Sequence, residues 1–431
     1  MAPSVKFIPA IRRSEVDLLL CCARTRLGSE TTERIHSLVQ KGIDWEYLFQ
    51  TAFRHRVVPL LYQSLKKICP QALSDDIIEE FRRHSLENGR RNLYLTGELL
   101  KLLDLLEAHG ILAIPFKGLV LAQSVYGDLS LRAIADLDIL VHKRDALRAR
   151  NLFMSHGYLS QIKPESGQDK GYMDTEYYFS LFSEDNKVMV DLHWEMTGHY
   201  SLFPMDLEGL MGHFEPVALA GKKVRHLSPE ELLLYLCLHG SRDLWEALEL
   251  VCCVSELIQS RPDMDWGRVA HLAGEMHCER ILFLGLLLAH QLLEAPLPGW
   301  VLERIQGDLK LRKLAAGVWK RLFHANSNPS DDRIPTPFSF FHMQVRDSFT
   351  DGMHYMVRRV MRPSVIEWIY FPLPAYLSFL HYLLRPMRLA LTLGLGLMKR
   401  LVLGSRTIEV GGSLRSRSTT FEVGGKEAGK R

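Results

Sequence analysis

From about residue 13 to 110 the apolar positions recur at helical spacing, and Pro59 restarts a helix within "IDWEYLFQTAFRHRVVPLLYQSL". A longer helical period runs from about Ser74 to His109 and stops at Gly110. The period then shortens. "ILAIPF" predicts a buried strand, "KGLVLAQSVYG" a helix from Gly118 to Gly127, "ADLDILV" a second strand, and "RDALRARNLFMSHGY" a helix closed by Gly157. Past a polar linker, "TEYYFSLFS" and "NKVMVDLHWE" predict a hairpin turning near Glu184–Asn186, and "PVALAGKKVRHLS" a further pair of short strands. Helices return after a Ser228–Glu231 capping box. The expected fold is α+β: a small mixed sheet over 111–227, flanked by a helical region at 1–110 and a helical domain at 228–325. A linker with apolar and basic helices is expected over 326–403, and a disordered tail over 404–431.

One detail of the second strand does not suit a simple core. Asp136 and Asp138 alternate with Leu137, Ile139 and Val141, so on a strand both carboxylates share one face. Two carboxylates so close repel, and a divalent cation relieves the repulsion. In "VMVDLHWE" the same alternation puts Asp191 and His193 together. If the two strands are neighbours, three carboxylates converge and can hold two ions about 3.5–4 Å apart, as in in-line phosphoryl chemistry. His193 reads as a hydrogen-bonded structural histidine. "FKGLVLAQ" supplies an anion cradle: a strand-to-helix turn at Gly118, with Lys117 as a point charge. Arg132 either contacts phosphate or fixes the loop before the aspartates.

Composition narrows the partners. The chain has 53 basic and 50 acidic residues, so it is not basic enough overall to suggest a nucleic-acid partner. Its seven cysteines form no CxxC pair, which suggests reduced, buried thiols in a cytoplasmic protein, and the Cys252–Cys253 pair reads as core. The run at 366–403 is apolar but broken by Arg385, Pro386 and Arg388, and ten basic against three acidic residues follow from Arg385 onward. That pattern suggests packing on the core, or contact with a partner or with the surface of the inner membrane, in preference to a spanning helix.

Glycine at a strand–helix turn, then Asp-x-Asp, then a third Asp on a later strand resembles the polymerase-β-like nucleotidyltransferase superfamily. "FKGLVLAQSVYGDLSLRAIADLDILVHKRDALRARNLFMSHGY", "VDLHWE", "DWEYLFQTAFRHRVVPLL" and "LHGSRDLWEALELV" resemble more closely the bacterial uncharacterised nucleotidyltransferase family, over roughly residues 15–300. The resemblance implies transfer of a nucleoside monophosphate from a nucleoside triphosphate, with release of pyrophosphate and with two Mg²⁺ ions, or Mn²⁺ in their place. It implies Asp136, Asp138 and Asp191 as metal ligands and catalytic groups, and Lys117, Gly118 and Arg132 at the nucleotide. The acceptor is left open: a small molecule, a glycan precursor or a protein. A toxin-like enzyme that modifies RNA or protein, and a non-catalytic nucleotide-binding descendant, are the rival readings. Two departures stand out. Leu119 follows Gly118 where the superfamily has serine or glycine, and Leu129 and Ala133 replace prolines that stiffen the loop around Arg132 in closer relatives.

Overall fold

In a computed structural model, described for residues 13–71, 75–162, 168–200, 205–210, 212–323 and 340–404, the chain divides into two compact units, Met1–Pro386 and Met387–Arg431. The first unit begins with helices Ser14–Cys22, Ser29–Gln40, Trp45–Arg54 and Val58–Ile68, with Pro59 in the first turn of the last. A 34-residue helix, Asp75–Ala108, follows. Gly110, at φ +68°, turns the chain out of it, a conformation glycine adopts without Cβ strain.

Five strands then build a mixed sheet: β1 (Ala113–Pro115), β2 (Leu137–Val141), β3 (Tyr158–Ser160), β4 (Tyr178–Ser183) and β5 (Met189–His193). Their order is β1-β2-β5-β4-β3. β2 and β5 run parallel, and the other neighbours are antiparallel. The β4–β5 turn passes through Asn186 at φ +56°, where the sequence placed it. A separate hairpin pairs β6 (Phe214–Leu219) with β7 (Lys222–Leu227).

β2 lies between two apolar cores. Leu137, Ile139 and Val141 join a cluster with Phe153, Phe179, Val190 and Leu192. Leu140, on the opposite face, joins a larger cluster built by the N-terminal helices and by Pro229–Arg242, Leu248–Ser260 and Glu279–Leu293. Asp138 shares the face of Leu140, so its carboxylate points toward the helical side of the molecule.

Several local expectations change. The helix at Gly118 lasts through Leu121 and continues as a π-helical turn, Ala122–Tyr126, before Gly127 closes it at φ +71°. Within the stretch read as a polar linker, the structure forms the helix Asp169–Thr175, and β3 forms just before that stretch. Ser228 makes no side-chain cap, since its hydroxyl donates to the Glu231 carboxylate, which also takes Arg268. The linker expected from 326 to 339 and the tail from 405 lie outside the described residues.

Beyond residue 340, the helix Phe349–Met361 precedes Val365–Tyr370, which carries the capping box of Ser364 and Glu367. Trp368 is buried and donates from its indole Nε1 to Thr175 Oγ1 at 2.8 Å, fastening this segment to the sheet unit. Residues 387–404 continue the helix His381–Gly404, which contains Pro386. Among the described residues, no helix is long and apolar enough to cross a membrane.

Candidate metal and nucleotide site

The parallel register places Asp138 directly opposite Asp191, and the antiparallel register places Ser180 opposite Asp191 on its other side. One ligand atom from each of Asp138, Asp191 and His193 lies within 4.8 Å of the others. His193 belongs to the cluster because it stands two residues after Asp191 on the same strand face. Asp136 precedes the strand and stands outside this close group, half-buried.

Asp138 is the best anchored of the carboxylates. Its Oδ1 accepts from Lys117 Nζ at 2.7 Å and lies 3.1 Å from His193 Nε2. Its Oδ2 is buried and has no donor among the described residues. A buried carboxylate oxygen left without a donor is costly, and the arrangement suits an incoming cation. Burial pushes the Asp138 carboxyl upward, but Lys117 and His193 more than offset it and hold it well below the usual carboxylate range. Burial likewise pushes Lys117 down, and Asp138 overrides it, so the lysine stays charged. Asp136 and Asp191 move the other way. Burial, with the Asp138 charge adding to it, raises both, although Lys117 pulls Asp136 down and His193 pulls Asp191 down. Asp191 Oδ1 accepts from Ser180 Oγ at 2.7 Å, which fixes its orientation. Rings wall the site: Tyr178 stacks on His193 at 5.2 Å and Phe116 meets it edge-on at 5.1 Å.

The turn beneath the site is locked from several sides. Gly118 has φ +56°, and a Cβ there would meet Asp136 O and Ile134 Cγ2, both at 3.6 Å. The φ value, more than the space, calls for glycine. Arg132 is buried, pairs with Glu249 at 2.9 Å and donates from Nη1 to Gly118 O at 3.4 Å. Of the two roles the sequence allowed it, these contacts serve loop fixing. The missing prolines at Leu129 and Ala133 have a replacement in the long helix. Asn92 Nδ2 donates to Leu129 O at 2.6 Å and Arg132 O at 2.8 Å, and Asn88 Nδ2 to Ser130 O at 2.8 Å. Arg91 donates to Ile134 O at 3.3 Å and Ala135 O at 3.2 Å. Three side chains of one helix thus hold the backbone that enters β2. Sequence reading missed them because an amide on a helix face looks solvated until its target loop is known.

A cleft of about 1160 Å³ lies against this site, and Asp138 sits behind its lining, fully buried. Lys117, Arg132, Asp136, Asp191 and His193 line its sheet side, and Arg54, Arg56, His84 and Arg91 line the wall from the N-terminal helices. Its third wall carries His239, Arg242 and Asp243. Burial, with Arg242 beside it, lowers His239 to about 3, so its ring is neutral at neutral pH. Neighbouring Gly240 is a packing residue: the Trp245 ring occupies the place of its missing side chain.

A family model described as an uncharacterised nucleotidyltransferase matches residues 41–294. That span runs from the N-terminal helices through the sheet to the end of the helix Glu279–Leu293, and so contains every cleft residue named above. Comparison with curated proteins and with solved structures gives no match.

Proposed function

The chain belongs to the uncharacterised nucleotidyltransferase family, and on that premise we propose that it moves a nucleoside monophosphate from a nucleoside triphosphate to an acceptor hydroxyl, with pyrophosphate leaving. The observation that carries this reading is the buried Oδ2 of Asp138, without a donor among the described residues, beside Asp191 and His193, which line a cleft large enough for a nucleotide. Asp138 and Asp191 would hold a divalent cation, Mg²⁺ or Mn²⁺, with His193 as a further ligand or as the group that orients Asp138. Asp136 would serve a second ion. Bound there, the metal would neutralise charge on the triphosphate and acidify the acceptor hydroxyl.

The chain's own groups do the rest. Asp191 would take the acceptor proton while Ser180 holds it in place. Lys117 would face the phosphates at the Gly118 turn. Arg132 would keep that turn in shape from beneath.

Incubation with each α-labelled nucleoside triphosphate, Mg²⁺ or Mn²⁺, and a cell extract tests the proposal. The wild-type protein is expected to label an acceptor, and the Asp136→Ala/Asp138→Ala protein is expected not to. Equal labelling by the two proteins would remove the assigned chemistry.

A further inference from the structure

A second, smaller cavity of about 320 Å³ adjoins the nucleotide cleft, and Tyr177, Arg242 and Asp243 line both. The Tyr177 ring stands 5.8 Å from the His193 ring, packs against Gly198 where a Cβ would collide with it, and takes Arg242 Nη1 on its hydroxyl at 3.3 Å. It borders both spaces.

The chemistry of the smaller cavity is unusual. Five arginines line it among the described residues: Arg242, Arg358, Arg359, Arg362 and Arg385. Two have carboxylates of their own, Arg242 with Asp243 at 2.9 Å and Arg385 with Glu367 at 3.4 Å. Among the described residues no carboxylate forms an ion pair with Arg358 or Arg359, which lie in successive positions of the helix Phe349–Met361. The remaining lining carboxyl, Glu176, gives only part of a counter-charge at neutral pH, because burial raises it to about 7 against the pull of Arg359, Arg385 and Arg362. A second observation also points to a ligand. Thr197 lines the cavity, is 4% exposed, and its Oγ1 has no hydrogen-bond partner among the described residues. Guanidinium forks without a carboxylate, beside a buried hydroxyl without a partner, form a site for a dianionic tetrahedral group.

We propose that this cavity is the acceptor pocket and that the acceptor is a small molecule carrying a phosphomonoester, gripped by Arg358 and Arg359 while its hydroxyl reaches past Tyr177 to Asp191. The proposal rests on the nucleotidyltransferase reading and names the substrate class for it. The size of the cavity favours a small molecule over a polymer. In the transfer, the acceptor oxygen bonds to the α-phosphorus, the bond from that phosphorus to the β-phosphate oxygen breaks, and pyrophosphate leaves. The hydroxyl proton goes to Asp191, and the phosphomonoester itself is unchanged.

Calorimetric titration with inorganic phosphate and with glycerol 3-phosphate tests the pocket, with glycerol as the uncharged control. The wild-type protein and the Asp138→Asn/Asp191→Asn variant are expected to bind both phosphates alike. Arg358→Gln/Arg359→Gln is expected to bind them at least about tenfold more weakly, while keeping its circular dichroism spectrum and its Mn²⁺ binding. Equal binding by the arginine variant, or no binding by the wild type, overturns the pocket.

The labelling assay supplies the second arm, with the small-molecule fraction of an extract used before and after alkaline phosphatase treatment. Loss of labelled product after treatment supports the acceptor class. Undiminished labelling, or label only on protein or RNA, overturns it and leaves the transferase standing. Absence of label from every fraction overturns the transferase and the acceptor role with it, while the titration still decides whether the cavity binds phosphate.

Discussion

Two apolar runs of this chain carry charges, and the fold treats them in opposite ways. In "ADLDILV", Asp138 is buried beside Asp191 and His193, with one oxygen paired and the other without a donor among the described residues. In "FLHYLLRPM", Arg385 is equally buried, but its guanidinium donates to Ser364 Oγ at 2.7 Å, lies 3.4 Å from Glu367 and reaches Arg359 O at 3.5 Å. In sequence the two look alike, as charges interrupting an apolar segment. In the structure the carboxylate keeps an oxygen free of donors among the described residues, next to Asp191 and His193, whereas the guanidinium divides its donors among Ser364, Glu367 and Arg359 O and so holds the helices Phe349–Met361 and Val365–Tyr370 in place. A buried charge with capacity to spare suggests chemistry, and one that is tied down suggests architecture.

Substitution should separate the two most sharply at Asp138. Asp138→Asn keeps the shape and removes the charge, and labelling activity is expected to fall by roughly 10²–10³-fold with far-UV circular dichroism unchanged. Arg385→Met should do the reverse. It strands Glu367 in the interior, so a loss of about 3–5 kcal/mol in chemical denaturation is expected, with Mn²⁺ binding intact in the folded protein. The double change Arg385→Met/Glu367→Leu should recover much of that loss. Failure to recover would show that the pair is more than a mutual neutralisation.

Asn92 ranks next. It is fully buried and serves two carbonyls of the loop before β2, so Asn92→Ala should cost about 1–3 kcal/mol. Activity should also fall, because the same loop positions the Gly118 turn and the aspartates. An active, destabilised variant would show that the turn does not need this support.

The smallest expected effect is on pH dependence in the absence of metal. The Asp138 carboxyl lies below its ordinary value of 3.8 in the fold, so its contribution to stability is present above that pH and is lost as the pH falls further. Asp191 lies above 3.8, so its ionised form costs stability at neutral pH, and the cost fades as the pH falls from its raised value to 3.8. Asp191→Asn is therefore expected to raise the metal-free melting temperature at pH 7 by roughly 1–2 °C, with the gain shrinking in acid. A lowered melting temperature would mean that the Ser180 contact outweighs the desolvation of the carboxylate.

Much of this molecule is legible in its sequence, for identifiable reasons. The alternation in "ADLDILV" and "VMVDLHWE" is strong because each strand borders a dense apolar core, and the parallel pairing of β2 with β5 brings Asp138 opposite Asp191. The hairpins over 178–193 and 214–227 follow from turn residues between β-rich runs. What the sequence hides depends on contacts distant in the chain. Asp136 is separated from the close group because β2 starts one residue after it, and strand ends are poorly specified by local pattern. The partners of Arg132 and Arg385 lie on other helices, so no local pattern could name them. The role of Asn88, Arg91 and Asn92 appears only when their helix is laid against the loop at 129–135.

The central claim is that Asp138 and Asp191 form a site for a divalent cation. Mn²⁺ titration followed by electron paramagnetic resonance tests it without any need to know the acceptor. The wild-type protein is predicted to remove Mn²⁺ from the free-ion signal with saturable stoichiometry and to release it to excess Mg²⁺, and Asp138→Asn and Asp191→Asn are each predicted to abolish that uptake. Unchanged uptake by either variant would contradict the claim.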